Sequence, residues 1–229
     1  MPPRTPRVPM TVDEAVAALR ASGNVASIEG RARYGIRPRT EQLGVSIPGI
    51  QAVAKRAIPD HDLALGLWAT GIHEARLLAA MVDIPAEVTA AQMDEWAADF
   101  DSWDIVDGCT GTLFDRTPYA WIKVQEWAER DEEYVKRAAF SLLAALAVHD
   151  KAAPDERFLA VLPLIGRHAG DDRNFVRKAV NWALRQIGKR NPTLREAAIA
   201  TAEHILEGSP RSGRWVASDA LRELRRKEK

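Results

Sequence analysis

Residues 174–192 read NFVRKAVNWALRQIGKRNP. Apolar side chains recur there at helical spacing: Phe175, Ala179, Ala183 and Leu184 form one stripe, while Lys178 and Trp182, four residues apart, share another face. Arg177, Arg185 and Lys189 surround that second face with positive charge. A cationic, aromatic-bearing helix face suits nucleic acid, because cations neutralise phosphate and a ring packs on sugar or base. It also suits an ordinary amphipathic helix whose basic side chains lie along its own surface.

Outward from this stretch the same period continues in both directions, and alternating Val/Ile/Thr-rich runs between tight turns are missing. The fold class is therefore all-α. Thr11-Val12-Asp13-Glu14 is a capping box that starts the first helix, which stops near Gly23-Asn24. Thr89-Ala90-Ala91-Gln92 repeats the start signal, and Thr117-Pro118 places a proline at a first helical position. Further helices are expected at about 48–58, 60–69, 72–82, 102–115, 132–148, 155–168, 172–189, 194–207 and 213–227. About twelve helices in pairs of roughly 35–45 residues fit a HEAT-like array, although a multi-helix globule shares the pattern. The expected organisation is one HEAT-like helical domain over 1–229, with 1–10 a flexible or extended segment. Residues 24–47, rich in Gly and Arg, read as an irregular phosphate-contacting loop or a connector.

The chain carries 32 basic and 32 acidic residues, a balance that alone argues against nucleic acid. The balance conceals three blocks. Residues 1–59 hold 9 basic and 4 acidic side chains, 60–133 hold 4 and 17, and 134–229 hold 19 and 11. Two basic ends could grip phosphates, or each block could be a set of solvated helix faces. With Cys109 the only cysteine, no internal disulfide can form, and a cytoplasmic protein is expected. No signal-peptide core or membrane-length apolar run is present in the sequence. The five histidines are dispersed and no phosphate-loop motif occurs, so neither metal nor cofactor is expected. His73-Glu74 and Arg76 read as helix-capping or inter-helix residues rather than an acid-base pair, and Trp68, Trp96, Trp121, Trp127 and Trp215 mainly as core.

The remaining segment of interest is Trp103-Asp104-Ile105-Val106-Asp107. On a helix starting near Ser102, Trp103 and Asp107 project from one face and set a carboxylate beside an aromatic plane. A core tryptophan and a capping or surface aspartate is the plainer reading.

WDxVD at 103–107 and FxRKAxxWALRxxxKxNP at 175–192 together resemble the paired signature of the AlkD-like DNA alkylation repair family of HEAT-repeat DNA glycosylases. Tyr134-Val135-Lys136-Arg137-Ala138-Ala139 is similar to that family's Trp-x-Arg-Arg-x-Ala helix start, and the similarity extends over His73-Glu74-Ala75-Arg76. Ser102 stands where the family commonly has a second tryptophan, and Tyr34 is the one candidate for its N-terminal aromatic helix. The resemblance implies a short α-α superhelix, or HEAT-like solenoid, with a concave DNA-binding groove. It implies excision of N3- or N7-alkylated purines from double-stranded DNA in base excision repair, by a monofunctional, monomeric glycosylase. Carried over by position, Asp107 would be the catalytic carboxylate, Trp103 and Trp182 aromatic walls, and Arg137 the holder of a neighbouring phosphate. Lys136, Arg177, Lys178, Arg185 and Lys189 would contact DNA.

The chemistry fits those residue types. An alkylated purine is cationic and leaves neutral, so the general acid of ordinary glycoside hydrolysis is not required. One carboxylate could stabilise positive charge developing on the deoxyribose while indole faces add electron density. The alternative is a non-catalytic HEAT-repeat protein that binds DNA structures or a protein partner.

Overall fold

A computed structural model describes residues 7–226, which form thirteen α-helices, one short 3-10 turn and two isolated β-bridges. The chain divides into two compact units, Met1–Thr117 and Pro118–Lys229. The expected segment 1–10 lies outside the described residues up to position 6. Beyond it the backbone is pinned: the Val8 N–H donates to the Arg56 carbonyl at 2.8 Å, and the Ile58 N–H donates to the Val8 carbonyl at 3.0 Å.

The first unit contains α1 (Val12–Ala21), α2 (Val25–Ala32), α3 (Ile47–Arg56), α4 (His61–Ala69), α5 (His73–Val82), α6 (Ala90–Ala98), α7 (Trp103–Thr112) and the turn Phe114–Arg116. The capping box forms: the Thr11 hydroxyl accepts from the Glu14 N–H, and Glu14 accepts from the Thr11 N–H. Helix α5 is the centre of the unit, with every residue buried except Met81, and it packs against α3, α4 and α7. A buried helix must pair its polar side chains. Accordingly, Arg76 stacks over Trp68 at 5.0 Å and meets Asp99 at 3.0 Å, an inter-helix role. Trp68 and Trp96 stack with centroids 4.0 Å apart. Cys109 is buried, and desolvation raises its thiol pKa, so it is an inert packed side chain.

The second unit contains α8 (Ala120–Ala128), α9 (Glu133–His149), α10 (Asp155–His168), α11 (Asn174–Gly188), α12 (Pro192–Gly208) and α13 (Arg211–Arg225). Here α9 is central, buried continuously from Val135 to Ala147 between α8 and α11, and α12 packs on α10, α11 and α13.

Three local expectations are corrected. Residues 25–32, read as irregular, form α2, capped by the Asn24 side chain on the Ala26 N–H. Thr117-Pro118 does not open a helix: the Thr117 hydroxyl donates to the Phe114 carbonyl at 2.8 Å, and α8 starts at Ala120 after Tyr119. Trp215 is not core but 39% exposed. Among the described residues no helix is long and apolar enough to cross a membrane.

Candidate active site

Trp103 and Asp107 stand one turn apart on α7 and line one open cleft of the first unit, about 830 Å³ in volume, together with Tyr34, Arg31, Arg33 and Asp104. Both side chains are partly exposed, so the core reading of Trp103 does not describe it. The indole N–H donates to the Tyr34 carbonyl at 3.0 Å. Tyr34 itself is 76% exposed at the rim. Leu77, Met81, Ile36 and Ile47 give the cleft an apolar floor, and α7 lies so close to α5 that a Cβ on Gly108 would approach Leu77 Cδ2 to 2.7 Å.

The start of α7 is fixed by polar contacts that motif reading missed. Asp104 accepts from Ser102 through one oxygen and pairs with His73 Nε2 at 2.8 Å through the other. His73 is fully buried at the first turn of α5. Burial pushes the Asp104 carboxyl upward, but the His73 hydrogen bond and charge, with the Ser102 hydroxyl and its own backbone N–H, hold it below the ordinary carboxylate value. Ser102 therefore anchors Asp104 rather than capping α7, which has no side-chain cap bond.

The loop facing α7 is organised by Glu74, which is fully buried. Its carboxylate accepts from the backbone N–H groups of Leu43 (2.8 Å), Gly44 (2.8 Å) and Val45 (3.2 Å), and from Arg31 Nη1 at 2.9 Å. Arg31 Nη2 also donates to the Val45 carbonyl. The cue in the sequence was the pair His73-Glu74; their partners lie 29 to 43 residues away and carry no local signature.

In the second unit the expected residues separate by role. Arg137 is buried, 6% exposed, and donates to the Phe175 carbonyl at 2.7 Å. Phe175 leaves the buried stripe of α11 and stacks on Tyr134 at 5.9 Å. Lys136 is buried as well. Arg185 pairs with Glu223 and, at 3.8 Å, with Asp219, while Lys189 also pairs with Glu223, so α13 neutralises both. Lys178 is exposed and Trp182 partly so. Arg177 lies over the exposed Trp215 ring at 5.1 Å. Trp103 and Asp107 thus belong to the first unit, and Arg137 and Trp182 to the second.

The thirteen helices, with no strand longer than an isolated bridge among the described residues, form an all-helical fold of the HEAT-like repeat type. A solved chain described as "a new family of proteins related to the HEAT-like repeat DNA glycosylases with affinity for branched DNA structures" matches with a TM-score of 0.74, 19% identity, and coverage of 85% of this chain and 83% of that one. This chain belongs to the DNA alkylation repair enzyme family, whose model matches residues 15–224. An engineered protein of solved structure covers 93% of this chain and 90% of its own at 16% identity, with a TM-score of only 0.38. No curated protein is significantly similar in sequence.

Proposed function

We propose that the protein is a monofunctional, metal-independent DNA glycosylase that hydrolyses the N-glycosidic bond of N3- or N7-alkylated purines in double-stranded DNA. The observation that carries the proposal is the placement of Asp107 and Trp103 in one accessible cleft with Arg31 and Arg33. The Asp107 carboxylate stabilises positive charge on the deoxyribose and orients the attacking water, and the Trp103 ring lies against the sugar. The leaving base carries its own positive charge and departs neutral, so a second carboxylic acid is not needed. Lys178, Arg177 and Trp182 contact the DNA backbone, and buried Arg137 acts by holding the start of α11 through Phe175.

A second reading is favoured by one finding: the solved neighbour is described as having affinity for branched DNA structures. In that reading the cleft binds DNA without breaking a bond. Incubating methylated duplex DNA with excess wild-type protein separates the two. Release of 3-methyladenine or 7-methylguanine is expected; tight binding to a four-way junction with no released base would establish the second reading instead.

A further inference from the structure

We propose that Glu74 and Arg31 are positioning residues for the Trp103 indole, acting through α2. The kinetic consequence of this role rests on the reading of the cleft as the excision site; the structural consequence does not.

Helix α2 has eight residues, none of them buried. Helices shorter than about 12–15 residues are marginal in isolation, and this one has only a partly buried face to compensate. Polar tethers at both ends therefore add to its placement. At its start the Asn24 N–H donates to the Leu43 carbonyl at 3.0 Å. At its end the Arg31 guanidinium forks, one nitrogen on Glu74 at 2.9 Å and the other on the Val45 carbonyl. Glu74 also accepts the amides of 43–45, so one buried carboxylate fixes both the loop and the helix that lies against it.

From Arg31 the connection to the cleft is short. The Arg31 carbonyl accepts the Tyr34 N–H at 2.9 Å, and the Tyr34 carbonyl accepts the Trp103 indole N–H at 3.0 Å. That last bond sets the rotation of the ring that lines the cleft with Asp107. Broad aromatic side-chain torsions are narrowed by such contacts. A lysine at position 31 would supply charge without the planar two-nitrogen fork, and so would hold the helix less well.

Indole ¹H–¹⁵N resonances test this directly. The chain has seven tryptophans, and the Trp103 signal is the one lost in Trp103→Phe. In Arg31→Ala the Trp103 signal should move and its proton should exchange with water about fivefold faster, as expected when one hydrogen bond opens. Arg31→Lys should fall between. The stacked Trp68 and Trp96 of the same unit should stay in place. A Trp103 signal unchanged in folded Arg31→Ala overturns the proposal, as does a common movement of all three indoles, which marks general loosening. In parallel, Arg31→Ala should slow single-turnover base release at saturating protein about fivefold. If the wild type releases no base, the excision reading fails, and the resonances alone still decide the positioning role.

Discussion

The Trp103 indole N–H reaches the carbonyl of Tyr34 at 3.0 Å, a contact between residues 69 positions apart that ties helix α7 to the segment leaving α2. The cleft is therefore walled by two stretches of very different character. One is a helix packed on the core through α5; the other is a short helix held by Glu74 and the loop at 43–45.

Gly44 is critical to that second wall. Its φ of 77° lies in the left-handed region, and a Cβ there would sit 2.0 Å from the Asn24 carbonyl oxygen at the cap of α2. Gly44→Ala should cost at least about 2 kcal/mol in urea unfolding, since backbone strain alone accounts for roughly 1–3 kcal/mol. An unchanged midpoint would contradict this placement of the loop.

Glu74→Ala strands three backbone amides and a guanidinium that now share one carboxylate. Removal of one partner from a buried, hydrogen-bonded charge pair costs about 3–5 kcal/mol, so the variant should unfold at markedly lower urea. A loss below about 1 kcal/mol would mean that water replaces the carboxylate at little expense.

Asp104 predicts a pH dependence. Its folded pKa is below the unfolded value of 3.8, so its contribution to stability is complete above that value and is lost as pH falls through the folded pKa. The stability gap between wild type and Asp104→Asn should shrink as acid is added below about pH 4. A gap that widens on acidification would reverse the sign of the shift.

The cations of α11 should differ in their effect on DNA affinity. Lys178 is exposed, whereas Lys189 is engaged by Glu223. Lys178→Ala should lower the slope of log K against log salt by about 0.9, the value for one phosphate contact, and Lys189→Ala by much less. Equal slopes for the two variants would show that the Glu223 pair opens on binding.

Much of this was legible in the sequence, and the gaps have physical causes. The long helices announce themselves because a 3.6-residue apolar period spans several turns in α9, α11 and α12, and the Trp103–Asp107 spacing follows from α7 being a helix. Helix α2 was missed because it is short and buries no residue fully, so no clear period marks it, and Gly30 and Gly35 suggest a loop. The start at Thr117-Pro118 was misread because the threonine hydroxyl closes the preceding 3-10 turn instead of capping the next helix. The basic face of α11 looked uniformly available because Glu223 and Asp219, its neutralising partners, come from α13. The Glu74 hub was only half visible, as a polar pair on a helix that turns out to be buried almost throughout.

The central claim is that Asp107 stabilises the breaking glycosidic bond, and the most direct measurement is single-turnover release of 7-methylguanine and 3-methyladenine by wild type and Asp107→Asn at saturating protein. The variant should bind the same duplex within about twofold yet release base at least about tenfold more slowly, equivalent to roughly 1.4 kcal/mol in barrier height. Equal release rates from the two proteins, both folded and both bound, would contradict the account.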